Sequence, residues 1–294
     1  MRAWLLPALV LLTVLQARAE VAVRDDAGQT LHLAQPARRI VSLAPHITEN
    51  LYAAGAGERL VGTVQFSDYP EAAKKLPRVG SYARVDLEAV LALRPDLVIA
   101  WQSGNTQAQV DKLRALGLPV YLSQSNRIDQ VADEVERYGH LAGSEALATP
   151  AAARFRLRLA ELRRHYGERP RVRTFYEMWK QPLMTVGGKQ IISDAIRLCG
   201  GDNVFGELTV MAPTVAVEAV LAADPEAIVA SGMDAARPEW LDDWQAWPKM
   251  TAVARGNLFF VPPDLIQRHT SRILDGAEIL CRSLETARTR RPVK

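Results

Sequence analysis

VDLEAVLALRPDLVIA (residues 85–100) and VAVEAVLAADPEAIVA (residues 215–230) decide how this chain folds. Eight of the sixteen aligned positions are identical. Each stretch reads as a short helix, stopped at Pro95 or Pro225, that feeds an apolar strand. A second echo pairs ITENLYAAG (47–55) with ISDAIRLCG (192–200). Two related α/β halves follow, since self-similarity at this separation marks a repeated unit. Chance likeness of two helix–proline–strand units is the alternative. It leaves unexplained why Glu88 and Glu218 fall in register at exposed helix positions.

Outward from the first copy, RRIVSLAP supplies a strand at Ile40 to Leu43, and Thr48 with Glu49 opens a helix that ends near Gly55. RLVGTV, LVIAW and PVYLS are further strands, with helices over 86–94 and 107–116. The order β-α-β-α-β-α-β predicts a mostly parallel sheet. Before it, VAVRDDAGQTLHL reads as a short β-like opening that turns at Ala27-Gly28. From Ile128 to Tyr166 there is no strand signal. Apolar residues at helical spacing predict one helix to Ala142 and a long one from Glu145 to His165, with Pro150 near its start. Alternation then resumes: RVRTFYEM, AIVAS and LFFVP as strands; Ile191 to Leu198, Glu218 to Ala223 and Thr270 to Thr286 as helices. The expected fold class is α/β: two pseudo-symmetric α/β lobes with mainly parallel sheets, bridged by a long helix. The expected divisions are a leader at 1–19, a first lobe at 20–125, a helical linker at 126–169 and a second lobe at 170–294.

The 294 residues are 48% hydrophobic and 23% charged, ordinary globular composition that excludes a disordered or polytopic membrane chain. Met1-Arg2, an apolar run from Ala3 to Leu15 and the A-x-A site at Ala17 to Ala19 read as a secretory signal peptide. The run is too short for a membrane span, and no cysteine follows it for lipid attachment. Removing residues 1–19 takes away two arginines and no acid, leaving a net charge of about +1. Neither a nucleic-acid nor a membrane-surface partner is implied. Cys199 and Cys281 are the only cysteines, and in an exported chain a disulfide between them is expected. Two buried free thiols are the alternative.

Two α/β lobes joined by helix leave a cleft off the carboxyl ends of their strands, where ligands bind. Those ends carry His46, Phe66, Asp68, Tyr82, Trp101, Asn105, Met178, Trp179, Asp264 and Arg268. The set is aromatic and polar rather than densely charged. It suits a large, partly apolar ligand with hydrogen-bonding groups at its rim. His46 and His269 both sit in strand-end loops and are candidates to meet across the cleft as metal ligands; simple hydrogen-bonding loop groups are the alternative. The sequence holds no G-x-S-x-G, G-x-x-x-x-G-K-[ST], H-E-x-x-H or C-x-x-C, so a secreted cleft enzyme has no catalytic motif to stand on. Glu88 and Glu218 sit at the same place in their lobes. A two-fold pair of carboxylates would complement a dimeric partner bearing two basic sites. Two solvated helix-start glutamates favoured by the dipole remain the other reading.

SDYP (67–70), VDLEAVLALRPDLVIAWQSGN (85–105), CGG-N-F (199–205) and DLIQRHTSRIL (264–274) resemble the helical-backbone metal receptors. These are periplasmic binding proteins of ABC uptake systems that carry cobalamin, ferric siderophores or haem, and the likeness is to the cobalamin-binding branch. It covers about residues 39–285. It implies two lobes bridged by a rigid helix, little closure on binding and no enzymatic activity. Cobalamin would be a transported ligand rather than a cofactor, and the protein a periplasmic monomer that serves a dimeric inner-membrane permease. The resemblance places Phe66, Tyr82, Met178, Asp264 and Arg268 against the corrin, Glu88 and Glu218 on the permease, and a disulfide at Cys199–Cys281. Trp101 and Trp179 join the ligand set. The chain departs from that branch at Phe66, Tyr82, Met178 and Ala212, where the pattern has tyrosine, tryptophan, phenylalanine and tryptophan. His46 replaces a small residue. Haem or a ferric siderophore, with His46 or a tyrosine on the metal, is the alternative ligand on the same fold.

Overall fold

The computed structural model describes residues 20–232 and 236–292. The leader expected at 1–19 lies outside the described residues. The described chain opens with an antiparallel hairpin, β1 (Val21–Arg24) and β2 (Thr30–Leu33), turned at Gly28 with φ +84°.

The first lobe runs β3 (Ile40–Ser42), α1 (Pro45–Ala53), β4 (Leu60–Gly62), α2 (Leu87–Ala92), β5 (Leu97–Trp101), α3 (Gln107–Ala115) and β6 (Val120–Ser123). Its four strands are all parallel, in the order β4-β3-β5-β6. Two linker helices follow, α4 (Asp129–Ala142) and α5 (Glu145–Tyr166). The second lobe runs β7 (Val172–Glu177), α6 (Ile191–Leu198), β8 (Gly201–Asn203), α7 (Val217–Ala223), β9 (Ala227–Ala230), α8 (Thr251–Ala254), β10 (Leu258–Phe260), α9 (Pro263–Ile266) and α10 (Ile273–Thr289). Its sheet, β8-β7-β9-β10, is also parallel. Both sheets therefore place their strands in the order second-first-third-fourth. The repeated sixteen residues form the same unit in each: α2 into β5, and α7 into β9.

Several boundaries differ from the sequence reading. α1 begins at Pro45 rather than Thr48, because Thr48 and Glu49 are buried inside the helix and cap nothing. β8 was absent from the reading: Gly201-Asp202-Asn203 carries no apolar signal and is a strand only because it lies along β7. Pro150 is the sixth residue of α5, beyond the first turn, yet the helix continues. The carbonyl it leaves without an intrahelical donor belongs to exposed Ala146, so the lost bond is not buried.

The strands are buried on both faces, as continuous apolar runs require. Ile40, Leu97 and Ile99 point to one core, while Val41, Val98 and Ala100 point to another. In the second lobe Ala227 and Val229 share the first of these cores, and Phe175, Ile228 and Ala230 pack in a third with Trp244. The two sheets thus turn one face each toward a single continuous core built on α1, α4, α5, α6 and α10. That shared core sets the angle between the lobes. α4 and α5 pack close enough that a Cβ on Gly139 would stand 2.3 Å from the Cβ of Ala148, so only glycine fits there. Cys199, just after α6, is joined to Cys281 on α10 by a disulfide.

Candidate functional site

The carboxyl ends of the two sheets face a common seam. From the first lobe, the first turn of α1 brings His46 and the end of β5 brings Trp101. Asn105 pins this corner: its Oδ1 accepts from the Trp101 backbone N–H (2.6 Å), and its Nδ2 donates to the carbonyls of Tyr82 (2.7 Å) and Leu43 (3.2 Å). Tyr82 and Trp101 meet edge to face at 5.7 Å, with Tyr82 40% exposed. Behind them, His46 lies 5.1 Å from Trp101 and 5.3 Å from His269 of the second lobe, ring centre to ring centre. Thus the two histidines do meet across the seam. Among the described residues, however, no group of three or more His, Cys, Asp or Glu has metal-holding geometry.

Phe66 stands at the mouth, 66% exposed, with φ +64°. A left-handed aromatic residue costs about 1–3 kcal/mol and persists only where its surroundings dictate it. Here four buried hydroxyls dictate it. Thr48 Oγ1 lies 2.6 Å from both Ser42 Oγ and Thr63 Oγ1, and Thr63 donates to Ser67 Oγ at 2.7 Å. The turn from Thr63 to Ser67 is tied at both ends, and the ring between is pushed outward.

A charged rim crosses the seam. Arg268 of the second lobe reaches Asp68 of the first at 2.6 Å and Asp264 of its own lobe at 2.9 Å. Burial pushes the Asp68 carboxyl up, but the hydrogen bond and charge of Arg268 outweigh it and leave it below its ordinary value. Arg272 forks onto buried Glu49 at 2.6 and 2.7 Å and lies 3.9 Å over the ring of Tyr69. Deeper, Asn50 Nδ2 donates to Glu134 of α4 (3.1 Å) and to the carbonyl of His269 (2.8 Å). Ser123 donates to the other oxygen of Glu134 and accepts from Tyr138 at 2.7 Å. Burial, opposed by the Ser123 bond, raises the Glu134 carboxyl to about 7.

Of the residues singled out in the sequence, Tyr82, Trp101 and His46 form one cluster, and Asp264 and Arg268 form the rim. Met178 packs partly buried against the shared core, and the Trp179 indole N–H donates to the Gln181 carbonyl at 3.0 Å. The ring contacts among the described residues include neither Phe66 nor Trp179. Glu88 and Glu218 are both exposed and each is the second residue of its helix, α2 and α7. The sequence reading missed Glu49, Arg272, Asn50 and Glu134. The first pair is 223 residues apart and the second 84, so no local pattern signals either.

The family profile described as "Periplasmic binding protein" matches residues 40–265. The chain belongs to the periplasmic binding protein family. The vitamin B12-binding protein of Vibrio cholerae is 38% identical over 252 residues, spanning 86% of this chain and 91% of that protein. The vitamin B12-binding protein of Yersinia pestis is 37% identical, spanning 87% and 89%. The crystal structure of the periplasmic vitamin B12 binding protein of Vibrio cholerae superposes with a TM-score of 0.80 at 37% identity, over 86% of this chain and 98% of that one. A periplasmic heme binding protein from Pseudomonas aeruginosa gives 0.72 at 25% identity, over 88% and 95%. Among the described residues no helix is long and apolar enough to cross a membrane.

Proposed function

We propose that this periplasmic binding protein captures a corrinoid, cobalamin itself, at the seam between its lobes and delivers it to a dimeric ABC permease of the inner membrane. The observation that carries the reading is the Tyr82–Trp101 pair beside the Arg268–Asp68–Asp264 rim, in a chain 38% identical to a vitamin B12-binding protein. The ring faces of Tyr82 and Phe66 supply dispersion and burial to a flat macrocycle. Arg268 has five N–H donors, of which the two acids engage only part, so it also serves peripheral amide carbonyls. Asp264, about half exposed, accepts from amide N–H groups. Met178 and Trp179 complete the wall from the second lobe.

The shared core favours a stiff receptor, in which recognition costs little reorganisation. Glu88 and Glu218, topologically equivalent and exposed, dock on two equivalent basic sites of the permease. The division of the chain after residues 19, 125 and 169 belongs to the same reading, as does residence in the periplasm. Haem is a weaker fit at His46, a residue only 6% exposed and flanked by the rings of Trp101 and His269.

Isothermal titration of the exported chain with cyanocobalamin tests the proposal. One-to-one heat is expected, weakened in Tyr82→Ala. No heat at micromolar protein rejects it. A Soret band on haem addition that vanishes in His46→Ala transfers the reading to haem.

A further inference from the structure

Three buried side-chain atoms at the lobe seam have lone pairs to offer and no hydrogen-bond partner: His46 Nε2, Asn50 Oδ1 and His269 Nδ1. Their residues are 6%, 0% and 4% exposed. Leaving such groups buried and unmatched is costly, so each calls for a partner. His46 and Asn50 stand four residues apart on α1, hence on one helix face. His269 comes from the other lobe, yet its backbone carbonyl is bonded to the Asn50 amide and its ring lies 5.3 Å from His46. Because Asn50 Nδ2 points at two acceptors, the amide orientation is settled and Oδ1 is the atom left over.

We propose that His46, Asn50 and His269 form a binding site for a divalent transition cation of borderline softness, such as zinc, nickel or cobalt, which ties α1 of the first lobe to the loop ahead of α10 in the second. This inference does not depend on the corrinoid reading.

The ring spacing is the quantitative support. An imidazole bound at about 2.1 Å places its ring centre about 3.2 Å from the metal, so two such rings at a tetrahedral angle stand about 5.2 Å apart. The observed separation is 5.3 Å. Two imidazoles and one amide oxygen suit this class of ion better than calcium or magnesium, which prefer all-oxygen shells. Both rings are buried at the seam, so surface water does not compete with an ion between them. Glu134 accepts from the Asn50 amide and so enriches its oxygen, the role of an outer partner at a metal site. The charge of Arg268 opposes the ion, but Asp68 and Asp264 both lie against that guanidinium. The Trp101 Nε1–H, on a ring 5.1 Å from His46, is also buried without a partner.

The test is calorimetric titration of the untagged exported chain with zinc, repeated on His46→Ala, His269→Ala and a surface control combining His32→Ala, His140→Ala and His165→Ala. One-to-one binding is expected, unchanged in the surface control. It should fall more than about 100-fold in either inner variant, beyond the loss usual for an outer partner. No zinc heat in the parent chain, equal affinity in the inner variants, or loss in the surface control overturns the proposal. Pulsed electron paramagnetic resonance of the copper-loaded parent chain decides the matter if an inner variant fails to fold. Modulation from two imidazoles supports the site, and modulation from none overturns it.

Discussion

Replacing Glu134 by glutamine should change how stability depends on pH. The carboxyl is fully buried in α4, bonded by Ser123 and Asn50, and burial raises it from 4.5 to about 7. A carboxyl whose pKa is higher in the fold than in the unfolded chain holds its proton longer when folded. Its contribution is therefore whole below pH 4.5 and is lost as pH rises through 7. The gap of about 2.5 pH units, at 1.36 kcal/mol each, amounts to about 3 kcal/mol. Glutamine carries no titrating proton; its Oε1 accepts from Asn50, and its NH2 reverses the second bond by donating to Ser123 Oγ. In urea denaturation followed by circular dichroism at pH 5, 6, 7 and 8, Glu134→Gln should gain on the parent chain by about 2 to 3 kcal/mol, most of it between pH 5 and 7. Glu177 is also raised by burial to about 7, despite the indole N–H of Trp244 at 2.7 Å. It is common to both proteins and cancels in the difference, as do His46 and His269. Parallel curves for the two proteins would refute the reasoning, because they would mean that Glu134 titrates alike in the folded and unfolded chains.

Glu49→Ala should cost about 3 kcal/mol in the same assay, since it strands the half-buried Arg272 charge; a loss below about 0.5 kcal/mol would class the pair with surface bridges. Joint replacement of Cys199 and Cys281 by serine should cost about 4 kcal/mol, the chain-entropy value for a loop of this length, and an unchanged urea midpoint would contradict it. Glu88→Arg with Glu218→Arg should leave cyanocobalamin affinity intact and abolish uptake by whole cells. Normal uptake would remove both residues from the permease contact.

The fold was legible because its signals are local and repeated. A helix stopped at Pro95 and another stopped at Pro225 need no distant partner to declare themselves, and their likeness announces two lobes. Alternation along LVIAW and AIVAS places residues on two faces of a sheet by period alone. The aromatic residues of the candidate site were legible for a related reason: Trp101 ends β5 and Tyr82 lies in the loop between β4 and α2, and strand ends are where α/β lobes offer a cleft.

What the amino-acid order determined by itself is therefore the pair of α/β halves, the helical link between them and the loops that carry chemistry. Tertiary structure alone decided which loop residues meet. Glu49 finds Arg272 across 223 residues, and Thr48, which reads locally as a helix start, joins a cluster of hydroxyls that sets Phe66 at the mouth. His46 and His269 were paired in sequence only as a supposition, and Asn50 between them was invisible. The physical reason is that periodicity and turn chemistry act within a few residues. The seam, by contrast, is made by a core shared between the lobes, whose packing brings distant buried polar groups together and obliges them to find partners.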